Sequence, residues 1–269
     1  MKVIQSILLA VCASLLFLVG TSTAQEQIAV PLSNAGEPGQ LHLNLIRGSI
    51  DITGYEGDEV VIRHNSQHTE VRDREETRDG MRRLSGSSRG FEVQERNNII
   101  SISGMSLADN IEFEILVPNN FSLKLSLVNG QRLNVDGVDG NLEISNVNGG
   151  VNLTNVGGSA LINTVNGDII ATFQSVAAER PMAFSNVNGD IDITLPNNAQ
   201  FSAKIKSELG EVFTDFEMDV LNDSRSVTTG GVPGAFHLSI NKWVHANANG
   251  GGPEYLFKTL RGDILIRSQ

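Results

Sequence analysis

Apolar and polar residues alternate along much of this chain, and one alternating phrase occurs twice. The sequence reads SNVNGGVNLTNV over residues 145–156 and SNVNGDIDITLP over residues 185–196. In the second copy, Ile191, Ile193 and Leu195 fall on one face of an extended strand, and the polar residues between them fall on the other. The pattern therefore predicts short β-strands with one buried face.

Glycines that precede such stretches recur at a nearly constant spacing. Intervals of 18 to 22 residues separate Gly130, Gly149, Gly167, Gly189, Gly210 and Gly231. Asparagine precedes several of these glycines, and both residue types tolerate the left-handed backbone conformation that a sharp corner uses. Further glycines lie half-way between the first corners, so each repeat of about 20 residues is expected to hold two short strands.

Two arrangements of such strands are consistent with Asn-Gly corners. Tight Asn-Gly turns are typical of hairpins, so an antiparallel meander is one of them. The other stacks equivalent segments in parallel, which buries the apolar faces that short units cannot bury alone. We favour the second and predict an all-β fold, a parallel β-solenoid (β-helix-like) in which like residues form ladders. The predicted ladders contain Val147, Val165 and Val187 and, beside them, Asn148, Asn166 and Asn188.

The pattern is looser toward both ends of the chain. Gly48 precedes an alternating stretch near the start, and Gly262 precedes the last alternating stretch. End units are expected to be atypical, because they must shield the exposed edges of the sheet. We therefore interpret six glycines as structural corners, namely Gly48, Gly130, Gly149, Gly167, Gly189 and Gly262.

Residues 62–96 do not follow the alternating pattern. The segment contains eight arginines, no lysine and seven acidic residues. We predict a charged excursion from the sheet, with one or two turns of helix. Its arginines could grip phosphate or carboxylate groups of envelope polymers, although the interleaved acids favour a solvated, self-paired surface. The candidate partner-binding residues are Arg72, Arg78, Arg82 and Arg83, together with Trp243, for which a core position at the C-terminal cap is the favoured interpretation.

The first 24 residues have the features of a secretory signal peptide. Lys2 is followed by an apolar run, and small residues that include Ser22 and Ala24 come after it. A membrane-spanning helix is the alternative, but the run is near the lower length limit for crossing a bilayer. We expect one mature domain over residues 25–269, exported to the periplasm, the cell surface or the medium, with no integral membrane span after cleavage.

Composition narrows the range of partners and of chemistry. The chain has 20 basic and 31 acidic residues and a formal net charge of −11, which disfavours nucleic acid and anionic lipid as partners. Its only cysteine, Cys12, lies in the expected leader. The mature chain is therefore expected to lack disulfides, thiol nucleophiles and cysteine-bound zinc.

Three phrases carry a resemblance to a known family. They are RGSIDITG at residues 47–54, SNVNGDIDITL at residues 185–195 and LFKTLRGDILIR at residues 256–267. Over about residues 40–269 the chain resembles the putative-adhesin family of bacterial envelope proteins, whose biochemical role is largely undefined. The resemblance implies a β-helix-like fold in secreted or envelope-attached proteins, and it supplies no catalytic residues.

Carboxylates are the main candidates for catalytic groups. Asp190 and Asp192 lie two apart on one strand face, and Asp168 could stack beside Asp190. No His, Arg or Tyr is expected nearby, so we interpret these aspartates as solubilising and predict no catalytic site. The corners lack the repeated Gly and Asp set of calcium-binding repeats, and the histidines lack metal-binding spacing, so we predict no metal and no cofactor. The tripeptide RGD at residues 261–263 is interpreted as a corner.

These observations favour a non-enzymatic exported envelope protein, an adhesin or a surface scaffold whose β-solenoid contacts a protein or a polysaccharide. An envelope-stress sensor or regulatory binding module is the alternative. A carbohydrate-active enzyme is a remote third, because a sequence does not show carboxylate clusters that form in three dimensions. The single Trp and two Tyr weaken a dedicated sugar-binding module, since such modules usually offer aromatic platforms.

Overall fold

The computed structural model describes residues 27–67, 77–78, 81–82, 91–103, 110–221 and 243–269. Every regular element in these ranges is a β-strand, which confirms the all-β prediction. The strands are β1 Gln27–Pro31, β2 Gln40–Tyr55, β3 Glu59–Gln67, β4 Thr77–Arg78, β5 Met81–Arg82, β6 Glu92–Arg96, β7 Ile99–Ser103, β8 Asn110–Pro118, β9 Ser122–Asp136, β10 Asp139–Asn148, β11 Val151–Asn166, β12 Ile169–Phe173, β13 Met182–Ser185, β14 Ile191–Leu195, β15 Phe201–Ser207, β16 Val212–Thr214, β17 Met218–Leu221, β18 Val244–Ala248, β19 Glu254–Thr259 and β20 Ile264–Ser268.

The corner glycines divide the stack into two faces. Segments that precede a corner pair with one another on the first face, and segments that follow a corner pair on the second. The long strands β2, β9 and β11 each contribute to both faces. We call one segment of the first face and the segment that follows its corner a rung.

Parallel, in-register pairing dominates the middle of the chain. On the first face, β10 lies between β9 and β11, and Asn148 pairs with Asn129 on one side and with Asn166 on the other. Asn166 in turn pairs with Asn188. The offsets between these partners are 19, 18 and 22 residues. The predicted stacking of equivalent Asn-Gly corners is therefore present.

Alternation places the apolar residues inside, as the sequence predicts. In β14, Ile191, Ile193 and Leu195 are fully buried, and the polar residues between them face outward. The inward side chains of both faces join in one hydrophobic cluster that runs from Leu41 to Ile266. Because each inward residue lies above its equivalent on the neighbouring strand, burial and backbone pairing reinforce each other.

The order of strands in space departs from their order in the chain at the N-terminal end. The second-face part of β2 lies between β8 and β9, where Ile50 pairs with Phe113 and with Leu133. Its first-face part lies between β7 and β9. The first alternating segment of the sequence is therefore an interior rung and not an end rung.

The C-terminal end shows the same departure. Strand β19 lies between β13 and β15, and β20 lies between β14 and β16. Gly262 consequently stacks between Gly189 and Gly210, although Gly210 follows Gly189 in the sequence. The expectation that the last strand shields an edge is wrong, because β20 has a parallel partner on both sides. Gly231 lies outside the described residues.

Antiparallel strands cover both faces at the N-terminal end of the stack and the first face at the C-terminal end. Strands β1 and β3 lie beyond β8, and β6 pairs with β7. At the other end, β18 pairs with β15, and β17 pairs with β18. The antiparallel alternative is therefore present at the ends, where no further equivalent segment continues the parallel register.

The segment predicted as an excursion begins and ends within this sheet. Ile62 is fully buried in β3, and β6 occupies residues 92–96, so strand pairing extends further into the segment than the sequence predicts. Between them, β4 and β5 form a short antiparallel pair. Apart from these two short strands, most of the chain between β3 and β6 lies outside the described residues, so the helical turns expected there stay a prediction. The expected signal peptide lies outside the described residues.

Candidate functional site: the corner ladders

Five of the six predicted corner glycines have a positive φ. The values are 140° at Gly48, 122° at Gly149, 145° at Gly167, 130° at Gly189 and 140° at Gly262. Side-chain-bearing residues rarely adopt this conformation. The rungs also pack tightly here, because a Cβ added to Gly189 would lie 2.5 Å from the carbonyl oxygen of Gly167. These corners therefore require glycine for two independent reasons.

Gly130 is a corner of a different kind. Its φ lies outside the positive range, which corrects the expectation that all six corners share one conformation. A Cβ at this position would instead lie 2.5 Å from a terminal methyl carbon of Leu127. A larger residue at this corner would therefore require the Leu127 side chain to move, whereas the backbone conformation itself does not require glycine.

The asparagines before the corners form a ladder of amides. Neither Asn148 nor its equivalents has the positive φ that their residue type allows. Instead, Asn148 Nδ2 donates to Asn129 Oδ1 at 2.9 Å, Asn166 Nδ2 donates to Asn148 Oδ1 at 2.9 Å, and Asn188 Nδ2 donates to Asn166 Oδ1 at 2.8 Å. The side chains thus link four successive rungs, with every donor pointing the same way.

Arginine occupies the ladder position on the two rungs that are inserted out of chain order. Arg47 pairs in register with Asn129, and Arg261 pairs with Asn188. The Arg261 guanidinium donates to Asn188 Oδ1 at 3.4 Å. Since the amide dipoles are aligned, that oxygen is the negative end of the ladder, and a cation is favourable there.

A row of exposed apolar residues runs beside the amide ladder. Val128, Val147, Val165 and Val187 each precede a ladder asparagine and are between 36% and 42% exposed. We call these four valines and the asparagines that follow them, Asn129, Asn148, Asn166 and Asn188, the corner stripe. Leu260 continues the row on the next rung at 40% exposure.

A buried polar column lies three residues before the corners, and the sequence analysis missed it. Asn186 Nδ2 donates to the carbonyl oxygen of Gly189 at 2.8 Å and Asn146 Nδ2 to that of Gly149 at 2.9 Å. Thr164, Thr259 and Ser207 hold the same place on other rungs, but their hydroxyls donate to a glycine carbonyl of the neighbouring rung, that of Gly149, Gly189 and Gly262 respectively. The available signal was a polar residue three positions before five of the corners, within strands that are otherwise apolar inside, namely before Gly149, Gly167, Gly189, Gly210 and Gly262.

The aspartates after the corners are structural. Asp168 Oδ1 accepts the backbone N–H of Asp190 at 2.8 Å, and Asp190 Oδ1 accepts that of Asp263 at 2.8 Å. The predicted stacking of Asp168 beside Asp190 is therefore correct. Asp192 forms a two-point ion pair with Arg267, at 2.7 and 3.0 Å, which raises the pKa of the Arg267 guanidinium. The expectation that no arginine lies near these carboxylates is wrong, because β20 is inserted beside β14.

Residues 37–240 match the Toastrack DUF4097 family. The chain belongs to that family. The match confirms the resemblance to the putative-adhesin family of unknown function that the repeated phrases carry. One solved structure is similar to this chain, with 13% sequence identity and a TM-score of 0.41, and it is described as a putative cell adhesion protein from Clostridium sporogenes ATCC 15579. The match covers 91% of this chain and 98% of the other. No curated protein matches the sequence.

The other predicted site residues of this Toastrack family member lie elsewhere. Trp243 is half-buried and outside the core, with Lys204 Nζ 5.1 Å and Lys206 Nζ 5.4 Å from its ring centre. The core position favoured for Trp243 is therefore wrong, and the ring is an outward cation–π partner. Arg72 and Arg83 lie outside the described residues, and Arg78 and Arg82 are described only as backbone of β4 and β5. Their role stays a prediction.

Neither a metal-binding cluster nor a membrane-spanning helix is found within the described ranges. No group of three or more His, Cys, Asp and Glu side chains there is arranged to hold a metal ion. In the same part of the chain, no helix is long and apolar enough to cross a bilayer. The Toastrack domain thus offers the corner stripe as its most regular outward feature.

Proposed function

We propose that this chain is a non-enzymatic, exported envelope protein that acts as an adhesin or surface scaffold. In this proposal its parallel stack is a β-solenoid with a repeat of about 20 residues, and the corner stripe is the contact surface. The observation that carries the proposal is the alignment of four exposed valines with four linked amides on consecutive rungs. Scattered exposed apolar residues are ordinary, whereas a continuous row suggests contact with a partner.

The charge of the corner stripe supports this role. The whole chain has a formal net charge of −11, yet the stripe consists of valine and asparagine alone. An uncharged row on an acidic protein can approach a partner without the repulsion that the rest of the surface produces. This favours the stripe over the acidic outer face as the site of contact.

The carboxylates support a non-enzymatic role. Catalytic carboxylates need free oxygens near a substrate, and their pKa values are commonly perturbed. Asp168 and Asp190 each accept a backbone N–H of the next rung, and Asp192 is paired with Arg267. These three groups therefore have structural partners that account for their presence.

Binding to envelope preparations tests the proposal. Two changes, Val147→Glu and Val165→Glu, would place two carboxylates in the middle of the corner stripe. The control is Ile170→Glu, which alters a residue of the second face that is 48% exposed. We expect saturable binding of the wild type and of the control, and loss of binding by the stripe variant at an unchanged melting temperature. Equal binding by all three proteins, or by none, would contradict the proposal.

A further inference from the structure

We propose that the corner stripe binds an extended, uncharged polysaccharide chain that runs along the stack. The inference rests on the proposed function and names the chemical class of its ligand. It is carried by the hydrogen-bonding groups that the ladder leaves available, the apolar row beside them, and the area and charge of the stripe.

The amide ladder repeats at the spacing of the strands. Neighbouring strands of a sheet lie about 4.8 Å apart, so the amides repeat at that distance. Asn148 and Asn166 each use one N–H and one oxygen lone pair in the ladder bonds. A primary amide has two N–H donors and two lone pairs, so in the described hydrogen bonds each of these side chains keeps one donor and one acceptor for a ligand.

Hydroxyl groups match this arrangement. A hydroxyl both donates and accepts, so a sugar hydroxyl satisfies the second N–H and the second lone pair of an amide. In a linear polysaccharide, successive sugars advance by a distance close to the strand spacing. The valines beside the amides would then contact the C–H surfaces of the sugar rings, which accounts for a polar row and an apolar row side by side.

The area of the stripe argues against a folded protein as the partner. Four rungs by two side chains give roughly 20 by 10 Å, or about 200 Å², at the usual strand spacing. A stable protein interface needs about 800 Å² on each partner. A second copy of this chain would therefore not be held by the stripe alone, whereas a thin polymer would fit along it.

Backbone pairing argues against an added peptide strand. Gly149 N–H donates to Asn166 O at 2.7 Å, and Gly167 N–H donates to Asn188 O at 2.8 Å. The corner backbone thus pairs between rungs and does not offer the free edge that strand addition requires. The ligand must use the side chains.

Charge favours an uncharged ligand. Asp168 and Asp190 follow the corners directly, next to the stripe, and would repel a phosphate-bearing or carboxylate-bearing polymer. The cations of the ladder lie only at its ends, at Arg47 and Arg261. Since the stripe has no aromatic platform, each sugar binds weakly and the polymer binds through repetition.

Calorimetric titration with defined oligosaccharides tests the inference. The probes are cellohexaose and chitohexaose, which are linear, and maltohexaose, which coils. We expect the linear probes to bind more tightly than maltohexaose. The double change Asn148→Ala and Asn166→Ala should weaken the linear probes by about thirtyfold, because four net hydrogen bonds of about 0.5 kcal/mol each are lost.

Two further variants separate ligand contact from stability. Val147→Thr with Val165→Thr keeps the ladder and replaces one methyl group of each valine by a hydroxyl, so the reduced apolar contact should also weaken the linear probes. Asn152→Ala alters an exposed residue of the second face and should leave binding unchanged. Linear probes that bind no better than maltohexaose, or that bind all variants equally, would overturn the inference.

The same variants keep this inference distinct from the proposed function. If envelope binding needs the stripe but the linear probes do not bind, the proposed function stands and the polysaccharide assignment fails. Protease treatment of the envelope then decides whether a protein is the partner, because it would abolish binding in that case. If envelope binding does not need the stripe, both proposals fail together.

Discussion

The middle of the stack and its two ends follow different rules. From β9 to β14, segments that follow one another in the chain stack on one another in parallel. At the ends, β2 is inserted between β8 and β9, and β20 between β14 and β16. Antiparallel strands then cover both faces at the N-terminal end and the first face at the C-terminal end. Repetition in the sequence specifies the middle, whereas long-range pairing specifies the ends.

The ladder residue distinguishes the two kinds of rung. All four consecutive rungs of the middle carry asparagine at the ladder position, and the two inserted rungs carry Arg47 and Arg261. An arginine can end a ladder but cannot extend it, because the guanidinium has no acceptor for the next donor. The change from Asn-Gly to Arg-Gly therefore marks the rungs at which chain order and spatial order separate.

Removal of the inserted C-terminal strand should have the largest effect. Deletion of residues 264–269 would leave β14 and β16 without their shared partner and would remove Ile264 and Ile266 from the core. We expect loss of cooperative thermal unfolding, measured by circular dichroism. Deletion of the edge strand Gln27–Pro31, which has one partner, should leave a cooperative transition at a lower temperature. A cooperative transition in the C-terminal deletion would show that β20 is dispensable.

Glycine substitutions should rank next. Gly189→Ala places a methyl group against the Gly167 carbonyl at a φ of 130°, so we expect a loss of about 3 kcal/mol or more in the free energy of unfolding. Gly36→Ala is the matched control, because Gly36 has a φ of 85° and nothing within 4 Å of the added carbon. It should lose only about 1 to 2 kcal/mol, from conformation alone. Equal losses in urea unfolding would mean that close packing of the rungs contributes nothing.

The buried polar column should have a moderate effect. Asn186→Leu would introduce the residue type that Leu127 has at the equivalent place in an earlier rung. Because the Gly189 carbonyl would lose its 2.8 Å amide donor and keep the longer bond from the Thr259 hydroxyl at 3.3 Å, we expect a loss of about 1 to 2 kcal/mol, measured by urea unfolding. Asn198→Leu, in an exposed loop position, should change stability by less than about 0.5 kcal/mol. Stabilisation by Asn186→Leu would show that apolar packing outweighs the column.

The pH-dependent stabilisation by Glu95, at the N-terminal end of the stack, should be the smallest of these effects on stability. Glu95 accepts hydrogen bonds from the Ser33 N–H at 3.0 Å and the Asn98 N–H at 2.9 Å. These hydrogen bonds stabilise the carboxylate and lower the pKa of Glu95. Because the folded-state pKa is lowered, Glu95 stabilises the fold above its unfolded pKa of about 4.3, and this stabilisation is lost as pH falls through the folded value. The difference in melting temperature between wild type and Glu95→Gln should therefore shrink from neutral to acidic pH. A constant difference would contradict this role.

The sequence predicted the local features of the fold well. Alternation identified the buried face of β14, and the spacing of glycines identified the corners, including the positive φ at Gly189. These features depend on a few consecutive residues. The sequence also placed Asn148, Asn166 and Asn188 in one ladder, because identical phrases stack on one another.

The order of the end rungs could not be predicted in the same way. Asn188 and Arg261 are 73 residues apart in the chain. The segments around Gly210 and Gly262 both have the alternating pattern, so by sequence either of them could stack on the segment around Gly189. Only the packing of whole segments selects between them. For the same reason the Asp192 and Arg267 pair was missed, since its residues meet through the insertion of β20.

Disulfide crosslinking measures the order of the rungs most directly. In a background with Cys12 replaced by serine, Val187→Cys is combined with Leu260→Cys or with Glu208→Cys. Asn188 pairs with Arg261, so residues 187 and 260 lie on neighbouring strands, about 5 Å apart and within disulfide range. The account predicts efficient oxidation of the 187 and 260 pair and none of the 187 and 208 pair. Crosslinking of 187 with 208 in place of 260 would show that the rungs stack in chain order, and would contradict it.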